Sequence, residues 1–192
     1  MEKKYNKIIL ITAPSGSGKT SIVKYLLEKF PQLSFSVSAT TRLPRKNEKD
    51  GVDYYFITDN EFKEKIHHKE FLEWELVYEG KYYGTLKSEM ERIWALQKVP
   101  VLDIDVQGAI HVQQQYPVNT MSIFIQAPSS EELKKRLLGR GSETEASLTA
   151  RINKSAYEMT FIDQFENVII NSDFDEACRE AEKIVGAFLA KD

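Results

Sequence analysis

The sequence predicts an α/β fold, a parallel sheet with helices packed on both sides. Three observations predict it. Apolar runs at residues 8–11, 99–104, 122–125 and 167–170 have the length and composition of strands buried on both faces. Segments with apolar residues at helical spacing follow them, and strands that alternate with helices join in parallel because the crossover helix covers the sheet. A glycine-rich stretch, Ala13-Pro14-Ser15-Gly16-Ser17-Gly18-Lys19-Thr20, leaves the first run directly and opens the first helix.

The elements follow in order. After the glycine-rich stretch, Ile22, Val23, Leu26, Leu27 and Phe30 form one apolar stripe, and Pro31 ends it. Residues 34–85 break the rhythm. They are rich in aromatic and β-branched residues, with short alternations such as Phe35-Ser36-Val37-Ser38 and Tyr54-Tyr55-Phe56-Ile57. That pattern predicts a small separate sheet with one helix near residues 60–67. Leu86, Met90, Ile93, Trp94 and Gln97 recur at helical spacing before the strand at 99–104. Ser129 and Glu132 read as a capping box opening a helix over 133–138, and Leu148, Ile152, Ala156 and Met159 mark another. Asp173 and Glu176 form a second box. Ala177, Cys178, Ala181, Ile184, Val185, Phe188 and Leu189 are then the buried face of the last helix. The expected division is a core of residues 1–33, 86–128 and 161–192, an inserted substrate lobe over 34–85, and a polar, mobile lid over 129–160.

Composition narrows the function classes. The chain has 192 residues with 42% hydrophobic and 29% charged, the profile of a globular domain large enough for a real core. A formal net charge of −3 gives no global basic character, so nucleic acid is not an expected partner. One cysteine, Cys178, excludes an internal disulfide and fits a reducing cytoplasm. No apolar run reaches the length of a membrane span, and the N-terminal run is too short for a signal peptide, so no membrane is expected. Oligomeric state is not written in the sequence.

The glycine-rich stretch carries the clearest chemistry. Gly16 and Gly18 let backbone N–H groups crowd around phosphate oxygens, and the helix that follows offers unpaired N–H groups and a positive dipole end. Lys19 adds a point charge for the outer phosphates, and the Thr20 hydroxyl is placed to ligate Mg²⁺. Ala13 stands where the usual pattern has its first glycine. The expected ligand is a nucleoside triphosphate; a strand-to-helix turn that binds nothing is the plain alternative.

Other candidates are weaker alone. Arg42 and Arg45, stiffened by Pro44, match phosphate geometry but also suit a solvated basic loop. Tyr54 and Tyr83 can donate to the same phosphate or simply pack. In an extended Glu70–Glu75 segment, Phe71, Glu73 and Glu75 share one face while Glu70, Leu72 and Trp74 share the other. A carboxylate there can accept from guanine N1–H and N2–H₂, which adenine does not offer; a solvent-facing edge glutamate is the alternative. Asp103 and Asp105, two apart at a strand end, suit either Mg²⁺ positioning or a turn before Gly108. Arg136 and Arg140 fall on one helical face with Arg151 in the next helix, placed to neutralise a transferring phosphoryl group or to cap a helix end. Asn171 reads as a nucleobase contact or as the cap before the final helix. His67, His68 and His111 have no metal-site spacing.

Together these residues resemble the guanylate kinase family. The resemblance rests on the loop at 13–20, Ser36 to Arg45, Asp50-Gly51-Val52-Asp53-Tyr54, Glu70 to Trp74, Tyr82-Tyr83-Gly84-Thr85, Leu102 to Gly108, and 136–141, in the family's order and across nearly the whole chain. It implies a P-loop NTPase core with a five-stranded parallel sheet, a GMP-binding lobe and a helical lid. The implied reaction is ATP plus GMP giving ADP plus GDP, with Mg²⁺. The resemblance makes Arg42, Arg45, Tyr54 and Tyr83 ligands of the GMP phosphate and Ser38, Glu73 and Thr85 readers of guanine. Asp103 and Asp105 become the acids near metal and base, and Ala13 to Thr20 the ATP phosphate loop. Lys19, Arg42, Arg136, Arg140 and Arg151 become the charges at the transferred group, and Asn171 an adenine-side contact. The link after Trp74 is about a residue longer than the family form. Use of dGMP stays open, because no residue stands out as inspecting a 2′-hydroxyl. The rivals are a catalytically inactive guanylate kinase-like interaction domain, which the intact Gly16, Gly18, Lys19 and Thr20 argue against, and a kinase of another small phosphorylated substrate.

Overall fold

The computed structural model describes residues 7–77, 80–139 and 145–191. Two sheets organise it. The larger has five parallel strands in the order β2-β7-β1-β8-β9: β1 Ile8–Thr12, β2 Leu33–Phe35, β7 Val99–Asp103, β8 Thr120–Gln126 and β9 Asn167–Ile170. Successive residues of β1 feed opposite layers. Ile9 and Ile11 join Ile22, Val23 and Leu26 of α1 (Lys19–Lys29) and Ala177, Ala181 and Val185 of α7 (Phe174–Ala190). Ile8 and Leu10 join Met90 and Ile93 of α3 (Lys87–Ala95) and Val106, Ala109 and Val112 of α4 (Val106–Gln115). A sheet so covered has no polar face, which is why its strands read as unbroken apolar runs.

The smaller sheet is mixed, in the order β4-β3-β6-β5: β3 Ala39–Thr40, β4 Tyr55–Phe56, β5 Phe71–Leu76 and β6 Tyr82–Leu86. Its helix α2 (Asp59–His67) starts at a full capping box, with Thr58 and Glu61 each satisfying the other's backbone N–H. The lobe has its own small core, where Phe62 stacks on Phe71 at 4.2 Å and on Tyr82 at 5.1 Å. Glu89 of α3 ties this lobe to the core. Its carboxylate accepts from Val37 N at 3.0 Å and the Tyr55 hydroxyl at 3.0 Å, and pairs with Arg92 at 2.7 Å. Two further helices, α5 (Ser130–Leu138) and α6 (Glu145–Met159), meet through Leu133, Leu137 and Leu148. No helix among the described residues is long and apolar enough to cross a membrane.

Several elements depart from the sequence expectation. Residues 33–35 belong to the large sheet, not the lobe: β2 pairs with β7, so the expected boundary at 34 falls inside a core strand. As an edge strand β2 is covered less fully than its neighbours, and so it shows alternation where the central strands show none. The strand at 99–104 ends at Asp103. Leu86 closes β6 rather than opening α3, and Gln97 lies past the helix with φ 55. Helix α4 is new; its polar glutamines and Gly108 hide an apolar stripe of Val106, Ala109 and Val112.

Candidate active site

The site lies at the carboxyl ends of β1 and β7, between the two sheets and α6, in a cavity of about 430 Å³. The loop from Ala13 to Gly18 leaves β1 and turns into α1. Gly16 and Gly18 both adopt positive φ, 97 and 95 degrees. A Cβ on Gly18 would stand 2.3 Å from the Asn171 amide nitrogen, so glycine is required there by backbone and by space. Ala13, Pro14, Ser15, Gly16, Gly18, Lys19 and Thr20 line the cavity. Ser17 is buried beneath them and its N–H closes the turn onto Pro14 O at 3.1 Å. Alanine at position 13 is only 7% exposed and packs in the core layer, so the missing first glycine is filled by a small apolar contact.

Lys19 reaches across to β7, where its ammonium pairs with the Asp103 carboxylate and donates to Ile104 O at 3.0 Å. Two-residue spacing along a strand would put Asp103 and Asp105 on one face, but β7 ends at Asp103 and Asp105 lies beyond it. Asp105 is the N-cap of α4 and accepts from Gly108 N at 2.9 Å. Its other oxygen lies 3.8 Å from Lys154 of α6. Both aspartates line the cavity.

Glu73 is the most perturbed acid in the cavity. A bulge between Phe71 and Glu73 breaks the expected alternation at Phe71, while Glu73 and Glu75 keep a common face as expected. Phe71 turns into the lobe core beside Phe62, Leu72 into the main core, and Glu73 and Glu75 face the cavity. Glu73 is 7% exposed and accepts from the Thr85 hydroxyl, its cross-strand partner, at 2.6 Å. Burial pushes its carboxyl up from 4.5 to about 7; the Thr85 bond opposes that rise and the charge of Asp105 adds to it. Thr85 is wholly buried, its proton committed to Glu73. Gly108 gives this carboxylate room, since a Cβ there would meet Glu73 Oε2 at 2.6 Å.

Ser38, Arg45, Tyr54 and Tyr83 line the same cavity. Burial pushes the Tyr54 phenol up. Arg42 is not among the lining residues. Its guanidinium lies 4.8 Å over the Tyr54 ring, donates from Nε to the Tyr83 hydroxyl at 3.1 Å, and turns its fork to Glu48 at 2.6 and 2.7 Å.

The other sequence candidates divide. Arg151 donates to Ser15 Oγ at 2.8 Å, so α6 already touches the phosphate loop. Arg136 is held by Glu132 at 3.0 Å and by Asn171 O at 3.0 Å, facing β9 rather than the cavity. Asn171 is buried and donates to Ser17 O at 2.8 Å; the cap of α7 is Asp173. Arg140 lies outside the described residues.

Sequence reasoning gave no role to Glu48, Lys154 or Glu158, and did not foresee that Gly108 makes room for Glu73. Glu158 is 6% exposed in the cavity wall, and burial pushes its carboxyl up against the opposing charge of Lys154. The i, i+4 spacing of Lys154 and Glu158 was legible, but their approach to Asp105 from another element was not.

The chain matches the guanylate kinase family over residues 5–188. It is 45% identical to the guanylate kinase of Bacteroides fragilis over 186 residues, covering 97% of this chain and 91% of that one. The Thermotoga maritima guanylate kinase is 42% identical over 185 residues, covering 96% and 88%. The crystal structure of guanylate kinase from Anaplasma phagocytophilum superimposes with a TM-score of 0.79 at 31% identity, covering 97% of this chain and 88% of that one. A P-loop facing a lobe with a buried carboxylate, in a chain with these relatives, leaves one assignment: the protein belongs to the guanylate kinase family of nucleoside monophosphate kinases.

Proposed function

We infer how this chain divides the work of transferring the γ-phosphoryl group of ATP to GMP. The observation that carries the reading is the buried Glu73–Thr85 pair opening into the same cavity as the P-loop. The loop at 13–20 takes the ATP phosphates, with Lys19 at the outer ones. Arg45, Tyr54 and Tyr83 meet the GMP phosphate, and Arg42 supports them. Glu73, with Ser38 beside it, reads guanine. The monophosphate oxygen attacks the γ-phosphorus in line, ADP leaves, and no protein nucleophile is needed. Lys19 and Arg151 neutralise charge that spreads over the equatorial oxygens. Asn171 acts by holding Ser17, and Arg136 by holding Asn171; Arg140 is kept as a further charge at the transferred group. Residues 34–85 less the β2 strand form the GMP lobe and 129–160 the lid, which closes over the substrates to exclude water.

Mg²⁺ fits the donors present. Thr20 and Asp103 both line the cavity and offer hard oxygens, and no group of three or more His, Cys, Asp or Glu side chains placed to hold a metal ion occurs among the described residues. That is a set for an ion that keeps its waters and travels with substrate phosphates. When bound it would neutralise the bridging phosphate oxygens. The partners are ATP and GMP, with dGMP an open second acceptor.

A coupled ADP-release assay over a nucleotide panel and across pH tests this reading. Guanine N–H donors stabilise only the ionised form of Glu73. Its proton must therefore be lost on binding wherever the empty site holds it, below about pH 7. KM for GMP should rise by up to about tenfold per unit as pH falls below that point, and level off above it. Glu73→Gln removes this component and leaves that of the substrate phosphate. A KM profile identical in the two proteins would take Glu73 out of the base site.

A further inference from the structure

We propose that Glu48 is a positioning residue of the GMP phosphate subsite, its carboxylate setting the fork of Arg42 and the backbone of Arg45 before substrate arrives. The proposal rests on the reading of Arg45, Tyr54 and Tyr83 as that subsite.

The geometry is a double clasp. Glu48 Oε1 accepts from Arg42 Nη2 at 2.7 Å, and Oε2 accepts from Arg42 Nη1 at 2.6 Å. Oε2 also accepts from the backbone N–H of Arg45 at 2.8 Å, while Glu48 N donates to Arg45 O at 3.0 Å. One side chain thus joins both arginines and closes the loop between them. Parallel, charge-assisted bonds of this kind fix orientation as well as distance.

The clasp also settles what is left for a ligand. Arg42 Nε is committed to the Tyr83 hydroxyl and Nη1 to Leu43 O as well as Glu48. At most one N–H, on Nη2, is left for a substrate oxygen. Arg42 therefore serves chiefly to hold others. It lies 4.8 Å over the Tyr54 ring and 5.6 Å over the Phe56 ring, and it orients the Tyr83 hydroxyl. Arg45, whose backbone Glu48 pins, is the arginine that lines the cavity.

A carboxylate that merely competed with phosphate for Arg42 would be expelled on binding. Glu48 is instead tied to the Arg45 backbone from both its side chain and its own N–H, so it stays when the phosphate arrives. The Arg42 fork holds its carboxyl down at about 2, so the clasp is charged throughout the neutral range.

The test is steady-state kinetics of Glu48→Gln and Glu48→Asp beside Arg45→Met, with melting temperature measured for each. Glu48→Gln should raise KM for GMP roughly ten- to hundredfold, the scale of effect that misplaced substrate-positioning groups produce. KM for ATP and melting temperature should stay near wild type, and Glu48→Asp, which keeps the charge, should recover part of the loss. Glu48→Gln added to Arg42→Lys should cost less than it does alone, because both act through one fork. An unchanged or lowered KM for GMP overturns the proposal, the latter making Glu48 a competitor. Parallel loss of ATP and GMP binding with a lowered melting temperature also overturns it, leaving Glu48 a purely structural residue. If Arg45→Met itself leaves KM for GMP unchanged, the phosphate subsite is misplaced; if it raises KM while Glu48→Gln does not, only the role of Glu48 falls.

Discussion

Glu73→Gln is expected to erase most of the enzyme's preference for GMP over AMP. The wild-type carboxylate is 7% exposed, and the Thr85 hydroxyl bonds its Oε1. An ionised carboxylate buried there, facing adenine, would be left without donors for the other oxygen. Sites built to hydrogen-bond a substrate reject analogues lacking that group by about 10⁴–10⁵-fold, because the protein's own polar group is left unpaired. Glutamine keeps the shape but turns one acceptor into a donor, which guanine cannot satisfy and adenine can. Assayed above about pH 7, where Glu73 is ionised, the ratio of kcat/KM for GMP to that for AMP should therefore fall by about two orders of magnitude or more, mostly through loss on GMP. Thr85 and Gly108 keep the side chain in place, one by a bond and one by lacking a Cβ, so a misfolded pocket is not expected to explain the loss. A ratio within severalfold of wild type would show that base choice is made elsewhere.

Lys19→Met should produce the largest fall in turnover. Lys19 sits at the first turn of α1, and the aligned N–H groups of the loop bind ground-state phosphates without it. Its mobile ammonium matters most where charge develops on the transferring group. Loss of one such electrostatic partner costs about 10²–10³-fold in kcat. KM for GMP should change little, because the residues proposed to hold GMP belong to the lobe of the smaller sheet. The structure adds a second consequence. Lys19 pairs with Asp103, so methionine leaves that carboxylate without its cationic partner in the cavity. Lys19→Met combined with Asp103→Asn should then be better folded than Lys19→Met alone but no more active. Near-normal kcat in Lys19→Met would mean that the loop binds phosphate without stabilising its transfer.

Much of this site was legible one residue at a time. The P-loop is local: strand, tight turn and helix N-terminus occupy one continuous stretch, so spacing alone carried its geometry. The candidates Arg45, Tyr54, Tyr83, Glu73, Asp103 and Asp105 all reach the cavity. What spacing missed has a common cause. The bulge at Phe71–Glu73 takes Phe71 off the face of Glu73 and Glu75, and a two-residue alternation has no way to register one extra residue. Glu48 carried no signal in the sequence because its partner's geometry is set by Tyr54, Phe56 and Tyr83 from distant segments. Gly108 looked like a turn glycine because the atom it makes room for belongs to β5.

By itself the sequence determined the fold class, four of the five strands of the large sheet, the glycine-rich loop and the chemical types available at the site, because each of these depends on neighbours within a few residues. Tertiary structure alone decided that residues 33–35 complete the large sheet, that Asp105 caps a helix, that Arg42 faces Glu48, and that Glu73 is buried against Thr85 with its carboxyl raised to about 7. Those outcomes are fixed by burial and by charges brought together from distant segments, and desolvation and Coulomb energy depend on distance in space rather than along the chain.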